Sequence, residues 1–290
     1  MDYLITGGTG FIGNALIATL PTNSTVTVLT RQASLKSSNP KINYVNSLEA
    51  VNKVPNVVIN LAGEPIFGHW SESKKQRIIN SRVKATEALS EFLNARAPNA
   101  TLVSASAVGY YPHSSKEDPT ALISTASSSF AGHLCHSWEQ AAKLFRGTVH
   151  IARLGIVLGK GGYLQQLILP TKLGLAMHLG SGQQGVPWVH IDDVVKGILT
   201  LAQTTNESSP LVLVAPSQNS HAEINNALAA QLNRKVRLSV PSSLVKLFGG
   251  EMANELILNG HYFNTSQLAN QLIDFRFSNL NAAIEDILST

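Results

Sequence analysis

Three shortages in the sequence each exclude a class of protein. The chain has 290 residues and a single cysteine, Cys135, so no disulfide can form within it and a reducing compartment is favoured. Charged residues make up 14 % of the chain, and scattered Lys and Arg residues give a net charge of +4, which disfavours a nucleic-acid partner. No apolar run approaches the ~18 residues of a membrane span, and residues 1–20 lack a basic leader. We therefore expect a cytoplasmic protein with neither a nucleic-acid nor a membrane partner.

Short β-branched runs alternate with helical patterns in the first half of the chain. YLIT precedes a helical pattern, TVTVLT, KINYV and NVVINLAG follow, and helical stretches at 71–95 and 128–145 lead to ATLVSASAVG and TVHIARLGIVLG. This alternation predicts an α/β fold, a Rossmann-type doubly wound parallel sheet. After Gly159 the pattern becomes Gly-rich and irregular. We predict a cofactor-binding Rossmann domain over residues 1–158 and a smaller, mostly helical substrate lobe over 159–290, with a helix at about 191–202 packing on either part.

The stretch LITGGTGFIGN places Gly7, Gly10 and Gly13 where the first strand meets the first helix. Gly7 permits a tight turn, Gly10 lets the backbone approach a pyrophosphate, and Gly13 lets the helix pack closely on the strand. The N–H groups at the helix N-terminus would face the anion. The pattern predicts a dinucleotide site, although an ordinary glycine-rich turn has the same spacing. The predicted contacts here are Gly7, Thr9, Gly10, Phe11, Ile12 and Gly13.

The second predicted strand ends in Thr30 and Arg31, where a cofactor without a 2′-phosphate usually meets a carboxylate. No Asp or Glu occurs from Asn14 to Leu48. A carboxylate would repel a 2′-phosphate, whereas the guanidinium of Arg31 offers it charged, planar donors. This favours NADP(H) over NAD(H) and makes 1–158 the NADP-binding domain. The alternative is that Arg31 simply faces solvent.

Five motifs occur in the order TGGTGFIG, NLAGE, SASAVGYY, RLGIVLG and WVHIDD. With them the chain resembles the extended short-chain dehydrogenase/reductases, and most of all their epimerase-like branch with an added C-terminal domain. The resemblance implies that Thr30 and Arg31 hold the adenosine ribose phosphate. It also implies further cofactor contacts: Leu61 and Ala62 along the adenine and pyrophosphate, Arg82 beside the cofactor, and Val157 on the nicotinamide side. Arg82 has its own physical case, because a guanidinium binds pyrophosphate well, but a surface arginine is the alternative.

Most proteins of that larger group use a tyrosine followed four residues later by a lysine. The six tyrosines here, at positions 3, 44, 110, 111, 163 and 262, are followed at that spacing by Gly, Leu, Ser, Ser, Leu and Ser. The helix expected to carry the pair has Ala131 and Cys135 instead, as the epimerase-like branch implies. The spacing of Ala131, Cys135 and Glu139 predicts one helix stripe facing the cleft.

Ser106 and Tyr110 are the predicted catalytic residues. Ser106 ends the fifth strand, at the edge where parallel sheets bind ligands, and it matches the serine that holds a substrate carbonyl in the resembled group; a backbone-capping serine is the alternative. Tyr110, or its neighbour Tyr111, could supply a phenol. Weaker candidates for acid, base or thiol chemistry are Glu64, His133, His136 and Cys135. For WVHIDD we predict a helix cap and no metal.

Two functions of different classes follow. The first is an NADP(H)-dependent oxidoreductase or epimerase-like enzyme acting on a small carbonyl or sugar-like substrate. The second is a non-catalytic NADP(H)-binding sensor or regulatory protein, which the missing Tyr-x-x-x-Lys pair favours. The protein is expected to be a monomer or a homodimer, since the resembled group often dimerises through the helices predicted at 71–95 and 128–145.

Overall fold

The computed structural model describes residues 1–32, 34–122, 124–205, 210–269 and 273–289. The strands in these ranges, in chain order, are β1 (Asp2–Thr6), β2 (Thr25–Leu29), β3 (Ile42–Val45), β4 (Val57–Asn60), β5 (Thr101–Ala107), β6 (Thr148–Leu154), β7 (Ile156–Leu158), β8 (Met177–Leu179), β9 (Gly185–Val186), β10 (Trp188–His190), β11 (Leu211–Leu213), β12 (Asn219–Ser220) and β13 (Leu238–Val240). The helices are α1 (Phe11–Thr19), α2 (Glu72–Ile79), α3 (Ala85–Arg96), α4 (Phe130–Ala142), α5 (Gly162–Lys172), α6 (Ile191–Gln203), α7 (His221–Gln231), α8 (Ser242–Ala253), α9 (Thr265–Ala269) and α10 (Leu280–Ser289).

Seven strands form one sheet in the order β3-β2-β1-β4-β5-β6-β11. Every neighbouring pair in it is parallel. The central strands are apolar on both faces, and all four residues of β4 are buried, as expected of strands covered by helices on each side. Successive strands are added on one side of β1 up to β3 and on its other side from β4 onward. Open sheets of this type bind ligands at this switch point, between β1 and β4.

Apolar residues cover both faces of this sheet. On one face α6 packs against α1 and the strands, with Val194, Ile198 and Leu201 at most 4 % exposed. On the other face Leu89 and Leu93 of α3 join the core with residues of α4. One strand of the sheet, β11, and the helix α6 that packs on it thus come from beyond residue 158. The predicted domain boundary between residues 158 and 159 stays a prediction.

A second core lies in the C-terminal part of the chain. It joins α5, α7 and α10 around Trp188, which is fully buried and donates from its ring nitrogen to Asn219 Oδ1 at 2.9 Å. The carboxylate of Asp193, in the first turn of α6, accepts the backbone N–H groups of Arg276 and Phe277 at 2.8 and 3.0 Å. These two hydrogen bonds hold the segment before α10 against the N-terminus of α6. Within the described ranges, no helix combines the length and apolarity needed to cross a bilayer.

Candidate active site

The turn between β1 and α1 has room only for glycine at two positions. Gly7 has φ +70°, and a Cβ there would stand 2.6 Å from the carbonyl oxygen of Leu61. A Cβ on Gly13 would stand 2.5 Å from the carbonyl oxygen of Gly7. Both approaches are far shorter than a van der Waals contact, so the turn brings β1, α1 and the end of β4 together as the spacing of the glycines predicts.

The N-terminus of α1 is built to receive an anion. Its N-cap is Gly10, which has no side chain to accept the first helical N–H groups, and the first turn holds no acidic residue. Those N–H groups therefore keep their hydrogen-bonding capacity and the positive end of the helix dipole. The predicted contacts Thr9, Phe11 and Ile12 surround this terminus, with the Thr9 carbonyl oxygen accepting from Asn14 Nδ2 at 3.1 Å.

A buried polar network fixes the crevice between β1 and β4. The Thr6 hydroxyl donates to Asn60 Oδ1 at 2.6 Å, and it accepts the backbone N–H of Ala62 at 3.2 Å. The Asn60 amide in turn donates to Thr86 Oγ1 at 2.8 Å and to Ser104 Oγ at 3.1 Å. The predicted contacts Leu61 and Ala62 thus lie directly beside the glycine turn, held by side chains that water cannot reach.

The loop after β7 folds over the start of α1. The ring of Phe11 lies close to three glycines, at positions 159, 161 and 162, and a Cβ on Gly159 would stand 2.5 Å from the ring. Val157, predicted on the nicotinamide side, lies in β7 opposite Val189 and is partly buried against the sheet core. The structure therefore brings the loop after Val157 against the start of α1, and the cofactor contact of Val157 stays a prediction.

Positive charge gathers at the end of β2. Arg31 follows that strand with 88 % of its side chain exposed, and its Nη1 lies 4.0 Å from Glu64 Oε2. The carboxylate of Glu64 also lies 3.2 Å from Lys74 Nζ and 3.9 Å from Arg77 Nε. Thr30 directly precedes Arg31, and its hydroxyl accepts the backbone N–H of Gln32 at 3.2 Å, which orders the backbone around Arg31. Three cations thus share one carboxylate, which leaves a positive excess where a 2′-phosphate is predicted.

Arg82 projects into the crevice from an interruption between two helices. The predicted helix over 71–95 is divided by a π-helical turn, Asn80–Lys84, a feature common at functional sites. Arg82 Nη1 donates to the carbonyl oxygen of Glu64 at 3.0 Å, and the guanidinium lies 5.4 Å above the ring of Trp138. It packs so close to Gly63 that a Cβ there would stand 2.8 Å from Cζ. Burial lowers the pKa of Arg82, but a guanidinium stays charged at neutral pH.

Ser106 lies beneath the crevice. It is 1 % exposed, and its hydroxyl donates to Glu139 Oε1 at 2.7 Å. The predicted bond from this hydroxyl to a substrate carbonyl would require the same proton. In this structure Ser106 therefore serves to orient Glu139, and its role toward a substrate stays a prediction.

Glu139 and Arg153 form a buried ion pair that sequence reasoning missed. Arg153 donates from Nε and Nη2 to the two oxygens of Glu139, each at 2.8 Å, and both residues are at most 5 % exposed. Burial alone would lower the pKa of Arg153, but the Glu139 carboxylate outweighs that effect and raises it. A charged residue in the otherwise apolar pattern TVHIARLGIV was the available signal, because buried charges are almost always paired.

The two tyrosines after β5 are held by Arg153. The guanidinium Cζ lies 3.5 Å from the ring centre of Tyr110, and Nη1 donates to the hydroxyl of Tyr111 at 2.8 Å. Tyr111 is 1 % exposed and its hydroxyl donates to Leu122 O at 3.0 Å, so burial raises its pKa. Of the two tyrosines, Tyr110 is the one whose side chain is partly exposed.

The stripe of Ala131, Cys135 and Glu139 is buried, with exposures of 6 %, 3 % and 4 %. A Cβ on Gly109 would stand 3.2 Å from Ala131 Cβ and 3.9 Å from Cys135 Sγ. The turn after β5 therefore covers the face of α4 that was expected to line the cleft. Glu255, from the π-helical turn Asn254–Leu258, accepts the backbone N–H groups of residues 130 and 131 at 3.2 and 3.1 Å and caps this helix.

We expect Cys135 to be inert in the folded protein. Burial, reinforced by the charge of Glu139, raises the pKa of the thiol from 9.0 to about 11, which lowers the thiolate fraction at neutral pH about hundredfold. A disulfide reagent that releases a coloured thiol should label the native chain at least a hundredfold more slowly than the chain in urea. Cys135→Ser supplies the blank, since the chain has no other cysteine. Native labelling at the rate of a free thiol would contradict the buried position.

Three weaker candidates for proton transfer are His133, His136 and Glu64. His133 and His136 are exposed on α4, and the ring centre of His136 lies 6.5 Å from that of Tyr110. Glu64 follows β4, the neighbour of β5 in the sheet, and its carboxylate faces the cations Arg31, Lys74 and Arg77 instead of Ser106. None of the three is brought next to the buried Ser106–Glu139 pair by the contacts described.

The WVHIDD segment gathers three residues that could hold a cation. His190, Asp192 and Asp286 each place one ligand atom within 4.8 Å of the others. However, His190 Nδ1 accepts the backbone N–H of Asp192 at 3.2 Å, so the neutral ring carries its proton on Nε2, which faces Asp286 at 3.5 Å. Arg276 adds a positive charge 3.2 Å from Asp192. His190 is thus the N-cap of α6, and the absence of a metal from this segment stays a prediction.

A family model described as the NAD dependent epimerase/dehydratase family matches residues 3–215. That span contains the glycine turn, the crevice and almost all of the large sheet. The chain belongs to this family. This match confirms the family predicted from the motifs, and the seven-stranded parallel sheet confirms the Rossmann-type fold predicted from the alternation of strands and helices.

Relatives match the chain over its whole length. An epimerase family protein of Staphylococcus aureus (strain MRSA252) is 36 % identical over 300 residues, covering 99 % of each chain. The crystal structure of the human epimerase family protein SDR39U1 (isoform 2) with NADPH is 30 % identical, with a TM-score of 0.88, covering 100 % of this chain and 99 % of that one. A nucleoside-diphosphate sugar epimerase from Corynebacterium glutamicum is 27 % identical, with a TM-score of 0.77, over 99 % of this chain and 58 % of that one.

Proposed function

We propose that this epimerase-family protein binds NADP(H) in the crevice between β1 and β4. The observation that carries the choice of NADP(H) is the positive charge at the end of β2, where Arg31, Lys74 and Arg77 share the single carboxylate of Glu64. Arg31 is the most exposed of the three and the farthest from that carboxylate, so it is free to turn toward a 2′-phosphate. The NADPH in the human relative supports the same choice.

Each part of the cofactor has a proposed set of contacts in this chain. The uncapped N-terminus of α1 and the turn at Gly7, Gly10 and Gly13 suit the pyrophosphate. Arg82 Nη1 donates to the Glu64 carbonyl and to Ser81 Oγ, and we assign Nε and Nη2 to phosphate or ribose oxygens. The full proposed set is Gly7, Thr9, Gly10, Phe11, Ile12, Gly13, Thr30, Arg31, Leu61, Ala62, Arg82 and Val157.

We propose that the protein is an oxidoreductase or epimerase-type enzyme on a small carbonyl or sugar-like substrate. Bound nicotinamide would supply hydride transfer. Tyr110 is the residue we assign to proton delivery, because it is the partly exposed tyrosine of the two and the Arg153 guanidinium packs on its ring. Ser106 is assigned to positioning, through the buried Glu139 and Arg153 that hold the tyrosines.

The second candidate, an NADP(H)-binding sensor, rests on one observation. Positions 131 and 135 carry Ala and Cys, and the turn after β5 covers them, so neither position supplies a proton donor. In a sensor the crevice would report the NADPH/NADP⁺ ratio to a partner without turnover.

Titrations of NADPH and NADH, followed by nicotinamide fluorescence, test the cofactor proposal. We expect NADPH to bind at least roughly tenfold more tightly than NADH, a difference of about 1.4 kcal/mol, because Arg31 gains a charge-assisted bond to the 2′-phosphate. Arg31→Ala should remove that margin and leave NADH affinity unchanged. Arg96→Ala, an exposed arginine at the end of α3, is the matched control and should change neither affinity.

Equal affinities for both nucleotides would refute the choice of NADP(H), and no binding of either would refute the dinucleotide site. A panel of aldehydes, ketones and nucleotide sugars then separates the enzyme from the sensor. Turnover of the nicotinamide chromophore, or conversion of a sugar, supports the enzyme. Tight NADPH binding with no conversion of any member favours the sensor.

A further inference from the structure

One end of the C-terminal lobe presents large apolar side chains to water. Leu169 and Leu173, at the end of α5, are 63 % and 66 % exposed, and Leu175 is 49 % exposed. Leu238, 44 % exposed, opens β13 and pairs with Met177 of β8, two residues after Leu175. Single exposed leucines are ordinary, but here four of them lie on two segments that β8 and β13 join.

Four cations lie on the same end of the lobe: Lys172, Arg234, Lys235 and Arg237. Arg234 Nε donates to the carbonyl oxygen of Lys172 at 3.0 Å, which ties the segment after α7 to the end of α5. Gly174 and residues 233–237 line one open depression of about 1000 Å³. We call these four leucines and four cations the leucine–arginine face.

No carboxylate neutralises this face. Asp and Glu are absent from residues 140–191 and from residues 224–250. Within the described part of the chain, no carboxylate lies within 4.0 Å of any of the four cations. The face is therefore apolar and of one charge sign.

The combination of exposed leucines and cations without a nearby carboxylate favours one kind of partner over the others. A nucleic acid would use the cations but gain little from exposed leucines. A second copy docked by this face about a twofold axis would bring like charges together. A bilayer with anionic headgroups accepts both, because leucines enter the headgroup region while Lys and Arg meet the phosphates.

We propose that the leucine–arginine face docks the protein on the surface of anionic membranes. This inference is independent of the nucleotide site. It revises the expectation of no membrane partner, which rested on the absence of an apolar run long enough to span. The face combines two segments, residues 169–175 and 234–238, each with at least one leucine and one cation. Because about 60 residues separate the two segments, no sequence window shows the whole face.

Flotation of the full chain with lipid vesicles tests the proposal. Vesicles of equal parts phosphatidylglycerol and phosphatidylcholine should bind at least roughly tenfold more protein than vesicles of phosphatidylcholine alone, and raised salt should weaken the binding. Arg234→Gln with Arg237→Gln should remove the dependence on phosphatidylglycerol. Leu169→Ser with Leu173→Ser should lower binding at least tenfold. Leu144→Ser, at an exposed leucine beyond α4, and Arg96→Gln are the matched controls.

The proposal is overturned if the protein does not bind the anionic vesicles, or if both double variants retain the binding. It is equally overturned if the two control variants weaken the binding as much as the double variants do. A dimer that the leucine variant alone dissociates would also contradict it. Full release of bound protein by inorganic pyrophosphate at moderate ionic strength would also overturn it, since it would make the face a site for soluble anions. Circular dichroism and thermal melting of each variant check that a loss of binding does not come from unfolding.

Discussion

Glu139→Gln is expected to lower the free energy of unfolding by about 3–5 kcal/mol. Both carboxylate oxygens accept from Arg153 at 2.8 Å in a site where neither residue is more than 5 % exposed. The amide leaves the guanidinium charged, buried and without its counter-ion, which is the costly state of such a pair. Urea denaturation at neutral pH measures the loss.

Two further variants test the cause of this effect. Adding Arg153→Met to Glu139→Gln removes the stranded charge, so the double variant should lose less stability than the sum of the two single variants. Glu87→Gln removes the exposed partner of Lys84, which lies 2.9 Å away, and should cost under about 1 kcal/mol. A Glu139→Gln variant as stable as Glu87→Gln would show that the buried pair is not as described.

Acid is expected to destabilise the protein through His221. This residue begins α7 and is 4 % exposed, and burial, assisted by the nearby His178, lowers its pKa from 6.5 to about 4. Below pH 6.5 the unfolded chain therefore binds a proton that the folded chain excludes, so stability falls as the pH drops and the loss levels off near pH 4. One such histidine contributes about 2.5 kcal/mol of loss between pH 7.5 and 4.5.

The comparison of His221→Gln with the unaltered protein isolates this contribution, because the two proteins differ only in this imidazole. The variant should be less stable at pH 7.5, and the gap should shrink by about 2.5 kcal/mol at pH 4.5. Urea denaturation at the two pH values measures it. His136→Gln, at an exposed histidine of α4, should show no such change in the gap. A gap for His221→Gln that is constant with pH would mean that the folded protein binds the proton.

The alternation of β-branched runs with helical patterns predicted the large sheet, and five short motifs, the glycine turn among them, indicated the family. Alternating β-branched runs and helical periods are local properties, and the turn at Gly7 and Gly13 needs glycine because of contacts with immediate neighbours. The absence of Asp and Glu from residues 14–48, on either side of Arg31 in the sequence, is likewise a local property and needs no structure to be seen. The π-helical turn that aims Arg82 could not, because it depends on how α2 and α3 pack on α4.

Only the tertiary structure decided the state of the catalytic candidates. Ser106, Cys135 and Glu139 share the carboxyl end of the sheet in the sequence pattern, but burial and the choice of hydrogen-bond partner depend on side chains from other elements. Glu139 meets Arg153, 14 residues away on a different element, and its Oε1 also accepts the hydroxyl proton of Ser106. The leucine–arginine face arises in the same way, since β8 and β13 bring together segments that are distant in the chain. Local chemistry fixes a turn or a strand, whereas the placement of a buried charge or a surface patch follows from long-range packing.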